Sequence, residues 1–269
     1  MNEAQHPLLV VPPQRLMVAG DWHMNTAWAI ARLQSAAAHG VELIVHLGDF
    51  GYWPGSPAGQ HYLEAVQNAA ARGGLHVAWI DGNHEQFSVL EFVDQKAEGG
   101  LATLPGHPNI HHIPRATRWV WDGLRFGGLG GATSVDVKLR FPQVDWFPDE
   151  SLTDADVAAW QAGGPVDVVF CHDRPAGVVT PGVTRASGAA LWGEDAMDDA
   201  EWHAQRLAEA LMPTRPRLVF HGHLHTRYTA VWEYEGGSAR VEGLDCDGTP
   251  GNTLIITVDE MADWCAQVG

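Results

Sequence analysis

The sequence predicts an α/β fold: a four-layer sandwich in which two mixed β-sheets stack and helices flank them. Three observations predict it. Residues 15–84 alternate short apolar runs with helical periodicity, the β-loop-α rhythm of a mainly parallel sheet. Residues 110–129 then switch to short strands joined by tight turns, which points to antiparallel pairing. Two further apolar runs, 166–171 and 217–221, each empty into a His-bearing loop.

Residues 15–20 form a short buried strand that ends at Gly20-Asp21. Residues 26–39 follow as a helix, with Trp28, Ile30, Ala31 and Leu33 apolar, a Thr or Asn cap, and a stop at Gly40. Residues 41–47 are nearly all apolar, as a strand covered on both faces requires, and end in Gly48-Asp49. A helix over 58–72 closes at Gly73-Gly74, and a third strand over 75–80 runs into Asp81-Gly82-Asn83-His84. Strands at 110–113, 117–121 and 124–129 are separated by turns such as Trp121-Asp122-Gly123-Leu124. A helix over 198–212 carries Trp202, Leu207 and Leu211 on one stripe, and antiparallel strands at 228–234, 239–244 and 253–258 complete the chain. No repeat, low-complexity tract or linker divides the sequence. Residues 1–269 therefore read as one domain, with its core over about 15–258 and residues 1–14 as an N-terminal extension. Two stretches, 130–151 and 174–197, are long for loops and carry Trp and charged residues, which makes both candidate lids.

Lys and Arg total 16 against 33 Asp and Glu, a net charge of −17. Such a surface repels nucleic-acid backbones and anionic membranes at long range, which argues against a duplex-binding protein. It leaves a nucleotide or other small phosphoester open as a substrate, because bound metal ions reverse the sign inside a pocket. Cys171, Cys246 and Cys265 stand at irregular spacing, the pattern of a reducing compartment rather than a disulfide framework. The first fourteen residues lack a basic stretch followed by an apolar one, and no apolar run is long enough to span a bilayer. A cytoplasmic location is the expectation, and nothing in the composition indicates an oligomeric state.

Five clusters lie where predicted strands stop: Asp21-Trp22-His23, Gly48-Asp49, Gly82-Asn83-His84-Glu85, Cys171-His172 and Gly222-His223-Leu224-His225. Strand ends are where ligands gather in open α/β sheets. Together the clusters offer two Asp, one Asn and four His as ligands, with a further His as a possible acid. Mixed oxygen and imidazole donors without thiolate suit Mn, Fe, Co, Ni or Zn rather than Ca²⁺ or Mg²⁺ alone. Two such ions, with Mn as first choice, can clamp both sides of an in-line displacement at phosphorus, and Asp49 is the natural bridging carboxylate.

This ordered series resembles the calcineurin-like metallophosphoesterase superfamily over about residues 15–230. The resemblance implies that Asp21, His23, Asp49 and His225 hold one ion, and that Asp49, Asn83, His172 and His223 hold the second. It also implies that His84 protonates the leaving group. The chain departs from the protein Ser/Thr phosphatase branch, whose second cluster reads Gly-Asp-x-x-Asp-Arg-Gly, because it has Gly48-Asp49-Phe50-Gly51-Tyr52-Trp53 instead. The segment from Gly130 to Asp136, with Arg140 and Trp146, looks like small phage and bacterial members, and Arg140 becomes the candidate phosphate contact beside Asn83.

The implied reaction is hydrolysis of a phosphodiester or phosphomonoester, of a nucleotide or an RNA end, by a hydroxide bridging the two ions with His84 as general acid. The alternative is a catalytically silent scaffold of the same fold that binds protein partners; the intact ligand set and His84 count against it. Glu85 reads as a supporting residue, and Asp136 and Glu150 as candidates to orient a water or a ligand. His46 is expected to make a buried hydrogen bond. His6, His39, His61, His76, His107, His111, His112 and His203 are expected on the surface or in packing.

Overall fold

The computed structural model describes residues 5–268. In chain order the elements are α1 (Pro7–Val10), β1 (Leu16–Ala19), α2 (Thr26–Ala38), β2 (Leu43–His46), α3 (Pro57–Gly73), β3 (His76–Trp79), α4 (Phe87–Asp94), β4 (Ala102–Leu104) and β5 (His107–His112). They continue with β6 (Thr117–Trp121), β7 (Leu124–Leu129), α5 (Asp154–Ala162), β8 (Val168–Cys171), α6 (Arg185–Trp192), α7 (Glu194–Leu211) and β9 (Leu218–His221). Strands β10 (Tyr228–Tyr234), β11 (Gly237–Gly243) and β12 (Thr253–Ile256) and helix α8 (Val258–Ala266) close the chain.

The strands form two six-stranded sheets, ordered β12-β1-β2-β3-β5-β4 and β10-β11-β9-β8-β7-β6. Each has four parallel strands at its centre and one antiparallel strand at each edge. Alternation along the strands explains the layers. Leu16 and Val18 of β1, with Leu43 and Val45 of β2, face Phe126, Phe170 and Phe220 of the second sheet, so this core lies between the sheets. Met17, Ile44 and Val77 point the other way, into α2 and α3. Val169, Val219 and Val241 do the same toward α5 and α7. The predicted sandwich of two mixed sheets flanked by helices is therefore the observed fold, and the parallel strands of each sheet end on the side where the ligand-type residues lie.

Several expectations are corrected. Residues 5–14 are not outside the fold: α1 inserts Leu9 into the core between the sheets, while residues 1–4 fall outside the described part. The predicted helix over 198–212 begins at Glu194, where Glu194 and Asp195 in the first turn oppose the positive end of the helix dipole. Its buried stripe is His203, Ala204, Leu207, Ala208 and Leu211, whereas Trp202 is 48% exposed. Strand 253–258 ends at Ile256, because Thr257 caps α8 with a Thr257/Glu260 capping box. β11 pairs antiparallel with β10 but parallel with β9, so the tail is not wholly antiparallel. The stretch 174–197 contains α6, and α4 and α5 occupy segments that carried no prediction.

One polar network fixes strand β5 to the rest of the first sheet. The His112 ring is 1% exposed, with Nδ1 2.5 Å from Asp94 and Nε2 facing Asp81 at 3.7 Å. Arg115 joins Asp81 to Asp156. Burial pulls the imidazole pKa down, but the Asp94 and Asp81 carboxylates overcome it and raise the value to about 9. A group raised in the folded state contributes stability that is complete below the unfolded value near 6.5 and is lost as pH rises through about 9. Denaturant unfolding across that window is expected to lose on the order of 2–3 kcal/mol through this group, and His112→Asn should remove that part of the pH slope.

Candidate metal centre

Four of the candidate residues stand just past a strand end in a conformation that few side chains adopt. His23, Asp49, His223 and His225 all have positive φ, at 45°, 53°, 63° and 47°. A non-glycine residue there costs about 1–3 kcal/mol, and such strain persists where the surroundings enforce it. The preceding glycines are sterically required. A Cβ on Gly82 would lie 2.2 Å from an Asp49 oxygen, and one on Gly222 the same distance from Asp21. The turns thus bring backbone against the two carboxylates and fold the imidazoles over them.

The result is a cluster drawn from both sheets. Asp21, fully buried, accepts hydrogen bonds from the His223 amide at 3.1 Å and lies 3.0 Å from His225 Nε2. His23 Nε2 is 3.5 Å from Asp49 and 3.9 Å from Asp21. Asp49 takes the His84 amide at 2.9 Å and faces His172 Nε2 at 3.5 Å. Asn83 Oδ1 is 3.1 Å from that same His172 nitrogen. Donor atoms of Asp21, His23 and His225 lie within 4.8 Å of one another, as do those of Asp21, Asp49 and His172. The His223 ring, 5.0 Å from that of His172, makes no hydrogen bond among the described residues.

Electrostatics shows what this donor set lacks. Burial pushes the Asp21 and Asp49 carboxyls up, yet the surrounding imidazoles win: Asp21 falls to about 2 and Asp49 well below its usual range. Burial likewise depresses His23 and His172, but Asp49 and Asp21 raise them to about 9 and about 10. His223, dominated by burial, drops to about 4 and is a free neutral donor. Two buried carboxylates are thus neutralised by protons on neighbouring rings. Divalent cations fit the same place with a donor set of oxygen and nitrogen.

Residues around the cluster orient it. Asn83 Nδ2 donates to Ser134 Oγ at 3.1 Å, and Ser134 donates onward to Glu150 at 2.7 Å. Burial raises the Glu150 carboxyl to about 7 while the Ser134 amide and hydroxyl hold it in place, and the Asn83 amide group that meets Ser134 leaves Asn83 Oδ1 facing His172. Glu85, 1% exposed, accepts from the Phe50 and Tyr52 amides and clamps the loop behind Asp49, as a supporting residue rather than a ligand. Asp247 pairs with His23 Nδ1 at 2.9 Å. Asp247 sits in no motif, and Ser134 lies within the 130–136 segment, where the sequence assigns it no role of its own.

The remaining expectations divide. The structure brings Arg140 to the site, against the His84 ring and 3.1 Å from Nε2, but its other donors are held by Asp136 and the Asp145 carbonyl. Asp136 therefore pairs with Arg140 rather than orienting a ligand. His46 is corrected: both ring nitrogens are buried without a hydrogen-bond partner, edge-on to Trp22 and near Phe50, and burial lowers its pKa to about 3. His203 is buried and pairs with Asp173 at 3.0 Å. A cleft of about 540 Å³ opens beside His223 and His225, bordered by Val135 of the first long stretch and by much of 174–197. Lys138 meets Asp195 at 3.1 Å, so the two stretches close one side together.

Stacked mixed sheets with an acid–imidazole cluster at their strand ends define a metallophosphoesterase architecture. The chain belongs to the calcineurin-like phosphoesterase family, which matches residues 14–227 and implies divalent metal ions. Among its relatives, the lariat debranching enzyme of Schizosaccharomyces pombe (strain 972) is 24% identical over 174 residues, 61% of this chain and 36% of that protein. The lariat debranching enzyme of Danio rerio is 26% identical over 166 residues, 58% of this chain and 28% of that protein. The chain thus spans about a third of the length of these relatives. In structure it resembles TT1561 of Thermus thermophilus, with a TM-score of 0.52 at 14% identity over 87% of this chain and 90% of that one. No described helix is long and apolar enough to cross a membrane.

Two outcomes are expected. Manganese uptake at neutral pH should release about two protons, because a ligand imidazole must be unprotonated and His23 and His172 carry raised pKa values. Calorimetry in buffers of different ionisation enthalpy reads that number, and affinity should climb until pH passes about 9 to 10. Ser134→Ala should weaken metal binding roughly 10- to 100-fold, since it removes the partner that orients Asn83.

Proposed function

We propose that this protein hydrolyses phosphoesters with two divalent transition-metal ions, one held by Asp21, His23, Asp49 and His225, the other by Asp49, Asn83, His172 and His223. The observation that carries this reading is the convergence of five further donors from both sheets around two buried carboxylates, with His84 at the rim. Manganese is the first choice of metal. Ions bound there supply a water made acidic at neutral pH and positive charge for the phosphoryl oxygens.

The protein's own residues do the rest. Asn83 presents its amide oxygen inward. His84, with a side chain 32% exposed, stands between the donors and solvent, where a leaving oxygen departs. Burial lowers its pKa; Asp49 opposes this and the Arg140 guanidinium adds to it, so a proton on this ring is readily handed over. Arg140 in this reading acts on His84, against whose ring its guanidinium lies. The side chains of His84 and His225 remain 32% and 46% exposed, which leaves room for groups on both sides of phosphorus and favours a diester over a monoester. The similarity to proteins named lariat debranching enzymes supports a nucleotide or RNA-end diester as substrate.

Hydrolysis of bis(p-nitrophenyl) phosphate with added Mn²⁺ tests the reading. Asp49→Asn should abolish both activity and metal uptake. His84→Ala should keep its metal and lose about 10²- to 10⁴-fold in kcat on an alkyl ester, but much less on the nitrophenyl ester, whose leaving group needs no acid. Equal losses on both esters would remove His84 from the acid role.

A further inference from the structure

The cleft beside the metal centre has a chemistry of its own. Its floor is His223, His225 and Arg174, and its walls include Val178, Val183, Met197 and Trp192. Trp192 closes α6, a helix with no buried residue, which Arg185 ties to Glu194, Asp198 and Glu201 of α7. A compact hydrophilic group would leave these walls facing water; a flat apolar group would cover them.

Arg174 is the unusual member. It follows His172 by two residues, in a chain with a net charge of −17. Its Nε is buried without a hydrogen-bond partner, and although its charge helps hold the Asp173 carboxyl low, its guanidinium makes no salt bridge among the described residues. The neighbouring Asp173 is already taken by the Arg174 amide at 2.7 Å and by His203. Arg140 and Arg185, the other guanidiniums near this region, are both paired with carboxylates. A guanidinium held unpaired beside imidazoles is arranged for an incoming anion, which it can grip through two donors.

We propose that this cleft is the substrate subsite: Arg174 takes the phosphoryl oxygens, and the wall formed by Trp192 and its apolar neighbours takes an aromatic group of nucleobase or aryl size attached to the phosphorus. This rests on the phosphoesterase reading above and names which substituents that site accepts. It also moves the phosphate contact from Arg140, whose donors are engaged, to Arg174, which no motif indicated.

The test is equilibrium titration of the Mn²⁺-loaded full chain with two non-hydrolysable anions, phenylphosphonate and methylphosphonate. Phenylphosphonate is expected to bind at least about tenfold tighter. Arg174→Gln should weaken both about 10- to 100-fold, the loss of a charge-assisted contact. Trp192→Ala, a change at a partly exposed side chain, should narrow the difference between the two anions. Equal affinity for both anions, or an Arg174→Gln protein that binds like the parent, overturns the subsite while leaving the metal centre intact. A chain that takes up no Mn²⁺ in the preceding metal titration overturns the phosphoesterase reading, and the subsite with it.

Discussion

Everything at the active end of this molecule follows from two carboxylates that cannot be left alone. Asp21 and Asp49 are essentially excluded from water, and their oxygens lie within 4.8 Å of each other and of His172. At an effective dielectric constant near 20, two unit negative charges at that separation repel by about 3–4 kcal/mol, before any cost of desolvation. Positive charge between the sheets' ends relieves that repulsion. The carboxylates raise the pKa of His23 and His172 accordingly, and in the proposed enzyme metal ions would take the same place. The left-handed turns at His23, Asp49, His223 and His225 make sense in this light: each gives up backbone comfort to aim a donor at the charge.

The site also depends on how the two sheets sit against each other. Asp21, His23, Asp49 and Asn83 leave the first sheet, whereas His172, His223 and His225 leave the second. Contacts across the gap tie them directly, with His172 Nδ1 2.6 Å from the Leu47 carbonyl and the His223 amide on Asp21. Behind these contacts, the Phe126, Phe170 and Phe220 rings stack in sequence across neighbouring strands and fill the space under the cluster. A register shift in either sheet would therefore separate ligands as well as disturb packing. Sheet packing and metal geometry are one constraint.

The sequence made the strand ends legible because a buried strand is a short apolar run, and ligand-type residues placed just after one stand out. That is why all seven ligand candidates and His84 lie together. It was less informative where order comes from tertiary contacts. α4 begins without a side-chain cap, although Phe87, Leu90 and Val93 form its buried stripe, and α6 buries nothing. α5, α6 and α8 did carry capping boxes, Thr153 with Asp156, Thr184 with Ser187 and Thr257 with Glu260, that the apolar pattern does not reveal. His46 misled because polarity in a strand argues for a partner; here aromatic edges take that place. Arg174 was invisible, since its significance lies in a missing partner and no sequence records that.

The tail shows how far the site's support reaches beyond its motifs. The family match ends at residue 227, yet Asn252 accepts the indole protons of Trp22 and Trp28 and donates to the Asp21 carbonyl. Asp247 donates its amide to that same carbonyl and holds the far nitrogen of His23. β12, which follows directly, pairs with β1 along its length, so the strand that delivers Asp21 is fixed by the end of the chain. A ligand imidazole needs its second nitrogen occupied to keep ring orientation and tautomer. For His23 that partner is Asp247, supplied from more than two hundred residues away. The motif residues thus provide the donors, while the segment after the motifs fixes the angle and protonation at which one of them is offered.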